Sequence, residues 1–194
     1  MMFIIGGDDV AANPLIRKQG ESMKLKACFL AALLIIAGSI AHAFDTVPLQ
    51  ISIWPPNMQV VPQEIDVSGL KLNLPYGGNN NIFGLDLGIA STSTDCAAFQ
   101  VNLLNMADNS FSGFQVGLFN LSGDSAGVQI GLANITDHVA DGLQISLVNS
   151  ALETNGVQIG LVNYTHFMVG VQIGLVNIIR ESVVKFFPII NFCF

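Results

Sequence analysis

Gly123-Asp124-Ser125-Ala126-Gly127 matches G-x-S-x-G, the turn that in many hydrolases lifts a serine nucleophile off a strand. That chemistry needs a helix after the serine, and a histidine with an acid to take its proton. The residues that follow, Val128-Gln129-Ile130-Gly131-Leu132, alternate as a strand does, so Ser125 reads as a linker residue. After Phe44 the histidines are His138 and His166, both in linkers; two imidazoles fall short of the donor set that a zinc site takes. Asp95, Asp108, Asp124, Asp137, Asp141 and Glu153 recur between apolar segments. Carboxylates at such spacing can hold calcium, but the calcium-binding G-G-x-G-x-D nonapeptide is absent, and a solvated acidic edge is the expectation. Cys96 and Cys193 are distant in sequence, with no C-x-x-C, and are expected to remain unpaired thiols. No catalytic, cofactor-binding or metal-ligating residue is therefore assigned, and the chain is expected not to be an enzyme.

Composition narrows the partners. The 194 residues are 51% hydrophobic and 11% charged, with a formal net charge of −7. A disordered, highly charged chain is excluded. Nucleic acid is a poor partner, because phosphate binding needs clustered Lys and Arg. The one basic grouping, Arg17, Lys18, Lys24 and Lys26, lies near the start.

That grouping belongs to a targeting segment. From Met23, two lysines precede an apolar run from Ala27 to Ile40, followed by Ala41-His42-Ala43, an A-x-A cleavage site. The run is shorter than the ~20 residues that a bilayer-crossing helix needs. Residues 23–43 read as a signal peptide cleaved before Phe44, and residues 1–22 as an extension of the gene model ahead of the true start. Phe44 to Phe194 would carry three basic residues against eleven acidic ones, a net charge of −8. Export to the periplasm, outer membrane or cell surface is the expected destination.

The elements that carry these side chains are tandem repeats. GFQVGLFN begins at Gly113, GVQIGLAN at Gly127, GLQISLVN at Gly142, and GVQIGLVN at Gly156 and again at Gly170. Upstream, GLKLNLPY at Gly69, GLDLGIAS at Gly84 and AFQVNLLN at Ala98 share the frame; VKFFPIIN at Val184 reads as a degenerate ninth copy. Steps of 14 or 15 residues make the unit a supersecondary element that stacks on its neighbours. Residues 69–194 thus form a nine-repeat β domain, and residues 44–68 a lead-in or cap. There Pro55, Pro56 and Pro62 suit an edge, and Trp54 could lid the end of the core.

Within each unit the second, fourth and sixth positions are apolar, as in Val157, Ile159 and Leu161. Period two with β-branched side chains predicts a strand with one buried face, each such side chain contributing about 2 kcal/mol. The apolar face is expected inside. The opposite face, with Gln100, Gln115, Gln129, Gln144, Gln158 and Gln172, is expected outside, either as a flat surface for a protein (a peptide or a second copy) or glycan, or simply as the outer side of a coil. Asn at the eighth position, from Asn105 to Asn191, is expected to turn the chain in the left-handed conformation.

Two all-β architectures fit. In a β-solenoid each unit is one coil, strands stack in parallel, and identical amides bond along the axis. In an antiparallel meander closed as an outer-membrane β-barrel, each unit is one strand; the alternating step lengths and the Ile190, Phe192, Phe194 series favour it. A lipid-facing band ~25 Å tall needs about five outward apolar residues per strand, and most units offer three. The tandem-repeat solenoid-like array is the preferred expectation.

The GVQIGLVN repeats, the preceding VSGLKLNLPYGGNNNIFGLDLG and the lead-in PLQISIWPP resemble the bacterial surface-repeat proteins first described in spirochaetes. The resemblance spans about Pro48 to Phe194. It implies export and a surface or envelope location, with no established activity and no catalytic residues to carry over. The expected function is an exported, non-catalytic envelope or surface protein with a structural or binding role, or else an outer-membrane barrel or small channel. It needs no cofactor; its partner is unknown.

Overall fold

A computed structural model describes residues 46–54 and 58–194, without the side chains of Trp54 and Met58. The signal segment and the residues before it lie outside the described residues, as do Pro55, Pro56 and the proposed Trp54 lid. The described residues are all-β: β1 Thr46–Trp54, β2 Met58–Gln59, β3 Asp66–Val101, β4 Leu104–Val116, β5 Phe119–Ile130, β6 Ala133–Ile145, β7 Val148–Ile159, β8 Val162–Gly174, β9 Val176–Ile179 and β10 Ile189–Cys193.

The fold is a β-solenoid. Pairing is parallel from β1 to β3 and then in chain order through β9. Parallel pairing of consecutive units excludes the meander barrel, whose neighbouring strands must be antiparallel. Register follows the repeat: Gln100, Gln115, Gln129, Gln144, Gln158 and Gln172 sit on successive rungs, as do Asn105, Asn120, Asn134, Asn149, Asn163 and Asn177.

The first position of the repeat turns the coil. Gly127 has φ +133°, and a Cβ there would lie 2.1 Å from the Gly113 carbonyl oxygen of the coil below. Only glycine suits both that conformation and that approach. The asparagines do not perform the expected turn: none has positive φ, and they lie within or beside strands with buried side chains.

The array differs from expectation at both ends. The lead-in is itself a coil: Leu49, Gln50, Ile51 and Ser52 of β1 pair in register with Leu70, Lys71, Leu72 and Asn73. The expected ninth copy does not add one. Pro188 lacks an N–H for a ladder and Ile189 is held at φ +75°, and β10 doubles back antiparallel on β8 with Asn191 opposite Gln172.

The larger correction concerns the two faces. The glutamines are the interior: Gln100, Gln115, Gln158 and Gln172 are 0% exposed. The sixth-position apolar row is the exterior, with Leu118, Leu132, Leu147, Leu161 and Leu175 all more than 40% exposed. Alternation fixes that successive side chains face opposite ways, but not which way is in. The inside of a 14-residue coil is a narrow column, and amides stacked along it satisfy one another. A small buried apolar cluster, Ile82, Cys96, Ala98, Ala107 and Phe111, sits near the first coils.

Candidate functional surface

The interior is two opposed amide columns. Gln172 Nε2 donates to Gln158 Oε1, Gln158 to Gln144, Gln144 to Gln129, Gln129 to Gln115 and Gln115 to Gln100, at 2.8–2.9 Å. All these amides point their N–H groups toward the first coils. The asparagine column runs the other way: Asn105 Nδ2 donates to Asn120 Oδ1, then Asn120 to Asn134, Asn134 to Asn149, Asn149 to Asn163 and Asn163 to Asn177, at 2.7–3.0 Å. Opposed columns cancel much of each other's dipole, and each bond polarises the next. Hydroxyls complete the lining: Ser122 and Ser125 both lie within hydrogen-bond distance of Thr136 Oγ1.

At the third position Lys71 and Asp86 replace glutamine in the first two units, and both are buried. Asp86 accepts from Asn73 Nδ2 at 2.5 Å, from Ser91 Oγ at 2.5 Å and from Gln100 Nε2 at 2.8 Å. Lys71 Nζ donates to Ser91 Oγ at 3.0 Å and to the carbonyls of Gly77 and Thr92. Ser91 therefore joins the two charges. Burial pulls the Lys71 pKa down to about 8 against the opposing pull of Asp86. Desolvation, reinforced by Asp86, pushes the Cys96 thiol up to about 12, which makes it a poor nucleophile. The sequence showed this pair, since both residues occupy the glutamine register; it was missed because that register was placed outside.

The candidates named from sequence are not brought together. Ser125 is buried and bonds only Thr136 among these groups, far from the hydrolase arrangement. His166 pairs with the Tyr164 hydroxyl at 2.8 Å, while His138 is exposed two coils away. The acids do not stack into a cage. Asp95 accepts from Asn109 and Ser110, Asp141 from Asn155 and Asp124 from the Val139 N–H. Among the described residues no group of three or more His, Cys, Asp or Glu side chains could hold a metal ion. Cys96 is buried and Cys193 half-buried; both are free.

What the molecule presents outward is therefore the apolar face. From Ala98 to Asn177 the repeat octets contain no charged residue; Asp108, Asp124, Asp137, Asp141 and Glu153 all fall in the segments between octets. The glutamines of the expected Gln/Gly binding face are enclosed, while the glycines at its fifth position are half-buried at the bends. Phe99 and Phe114 stack with centroids 5.0 Å apart on the outer side, continuing the rung-on-rung order seen inside. Comparison with protein-family models, curated proteins and solved structures finds no match to this chain.

Proposed function

We propose that this protein is an exported, non-catalytic structural repeat protein of the cell envelope, and that it works through its apolar outer rows. One observation carries this reading: the polar side chains of the repeat octets are sealed inside, bonded to one another, while the octets' outward rows are apolar. Contiguous exposed apolar surface of this extent marks an interaction site on a folded protein. The amide columns serve as the rigid interior that holds those rows at a fixed pitch. The signal-like segment ending at Ala43 supports export.

Expression in a secreting bacterium followed by fractionation tests it. The processed chain should begin at Phe44, sediment with the envelope and be released by detergent. Leu132→Lys/Leu147→Lys/Leu161→Lys should stay folded, since these positions are exposed, and move to the soluble exported fraction. Full-length chain in the cytosol, or envelope retention unchanged by the triple substitution, would refute the reading.

A further inference from the structure

We propose that a polar crevice beside the first coils is a binding site for one neutral sugar ring, such as ends a glycan chain. The crevice shares no residue with the apolar rows, so it stands or falls apart from the reading above.

The crevice exists because one segment departs from the repeat. Gly77-Gly78-Asn79-Asn80-Asn81 has no counterpart in the other segments between octets. The chain on either side of β2 pins it. Gln59 Nε2 donates to the Gly78 carbonyl at 3.1 Å, and the Asn80 N–H donates to the Gln63 carbonyl at 2.8 Å. Asn79 Nδ2 donates to the carbonyls of Pro62 and Ile65 at 3.3 and 3.0 Å. From inside, Lys71 Nζ donates to the carbonyls of Gly77 and Thr92. The walls are thus held before a ligand arrives, which lowers the ordering cost of binding. They enclose about 270 Å³, lined in part by Gln63, Tyr76, Gly78, Asn79, Thr92 and Asp108.

Gly78 marks where the polar groups meet. A Cβ there would lie 2.8 Å from Gln63 Nε2, 2.9 Å from Thr92 Oγ1 and 3.3 Å from the Tyr76 hydroxyl. Three polar ends therefore converge on a point that glycine leaves clear. The Tyr76 and Thr92 hydroxyls bond each other at 2.8 Å, and each keeps hydrogen-bonding capacity. Asn79 is buried, and its Oδ1 accepts no bond from the described residues. Asp108, exposed, adds one carboxylate.

That set selects the ligand. Amides, hydroxyls and a single carboxylate line the crevice, with no basic residue among them. An anion would meet Asp108 without a counter-charge, and a calcium ion would find one carboxylate where it takes six to eight oxygens. A sugar hydroxyl both donates and accepts, as this lining requires. The half-buried Tyr76 ring offers an apolar plane beside its hydroxyl, suited to the C–H face of a pyranose. The volume falls just below the ~300–1,000 Å³ of sites that enclose drug-sized ligands, which fits one ring rather than a chain.

The test uses the exported, processed protein and the methyl glycosides of glucose, galactose, mannose and N-acetylglucosamine, followed by saturation-transfer NMR and by titration of the amide spectrum. At least one should bind with a millimolar dissociation constant and shift the Gly78 and Asn79 signals. Asp108→Ala, at an exposed position, should weaken that binding about tenfold, the loss expected for one hydrogen bond to a charged group. Gly78→Ala should weaken it as much by filling the shared point; the backbone there is outside the left-handed region, so alanine adds bulk without strain. Asp141→Ala, in another linker, should change nothing. Failure of all four glycosides to bind, binding undiminished in both Asp108→Ala and Gly78→Ala, or saturable binding of inorganic phosphate or calcium at the same amides would overturn the proposal.

Discussion

Gln100 Nε2 donates to Asp86 Oδ2 at 2.8 Å, and through that bond the whole glutamine column ends on a carboxylate. Six amides with their N–H ends toward the first coils present the positive end of a polarised chain to an anion, a stronger arrangement than a neutral terminus. The other end is open. Gln172 Oε1 is buried and lacks a donor, because β10 enters antiparallel and brings Asn191, whose side chain bonds the Val184 carbonyl instead. The asparagine column closes at its donor end: Asn177 Nδ2 bonds the carbonyls of Gly174 and Phe187.

Asp86→Asn tests this terminus. The change keeps the shape but removes the charge that three donors and the nearby Lys71 rely on. A loss of about 3 kcal/mol is expected in denaturant unfolding, since it leaves a buried ammonium without compensation. Lys71→Met in the same chain should recover much of that loss. If the double variant is as unstable as the single one, the two charges are not coupled through Ser91.

Stability should vary with pH in a way set by Lys71 and Cys96. The Lys71 pKa is lowered from 10.5 to about 8, so between these values the folded chain binds fewer protons than the unfolded one, and stability rises with pH. Below pH 8 the full burden of the buried charge is present, on the order of 3 kcal/mol. Cys96 acts with the opposite sign. Its pKa is raised from 9.0 to about 12, so it contributes stability below pH 9 that is lost as pH rises toward 12. The unfolding free energy should climb from pH 8 to 9 and then level off. In Cys96→Ala the climb should continue toward pH 10.5, and in Lys71→Met it should vanish. A flat wild-type curve between pH 8 and 9 would contradict the burial of Lys71.

The sequence made the solenoid legible because the repeat step, the alternation and the recurring amides all demand stacked, in-register rungs. Its inversion was harder to read. Val128, Ile130 and Leu132 alternate with Gln129 and Gly131 whichever row is enclosed. The usual rule that apolar side chains go inside fails here, because from Gln100 to Gln158 each buried glutamine both donates to and accepts from a neighbour in the column. One signal was available. The second position varies among Leu, Phe and Val between copies, whereas the third is Gln in six consecutive units. An amide column breaks at any foreign residue; an outer row does not. The same signal identifies the lead-in coil, whose Leu49-Gln50-Ile51-Ser52-Ile53 repeats Leu143-Gln144-Ile145-Ser146-Leu147 but for the last residue. Lys71 and Asp86 share the glutamine register, and they read as a pair only once that register is placed inside. The reversal of β10 had its own marker in Pro188, which the ninth-copy reading passed over.

The thiols should separate by location. Cys96 is buried with a raised pKa, and Cys193 is half-buried near the C-terminus. A disulfide-exchange reagent at pH 8 should titrate one thiol per folded processed chain and two after denaturation, because the thiolate is the reactive species. Two fast thiols in the folded protein would place Cys96 outside the core, and none in either state would mean that the two are bonded.

The sharpest test of the inverted solenoid substitutes neighbours on opposite faces. Gln158 is 0% exposed and its amide links Gln172 to Gln144; Leu161, on the same rung, is 49% exposed. Gln158→Lys puts an ammonium into a column that offers no counter-charge at that rung. It also removes the acceptor of Gln172 Nε2, which keeps only the Ile178 carbonyl, since an ammonium can donate but not accept. The cost should exceed about 3 kcal/mol. Leu161→Lys removes surface that already meets solvent, and should cost less than about 1 kcal/mol in the isolated chain. Chemical denaturation of the two variants, at concentrations low enough to exclude association, compares them directly. A conventional apolar core predicts the reverse order, with lysine tolerated at Gln158 and ruinous at Leu161. That order would overturn the amide interior and the apolar working surface together.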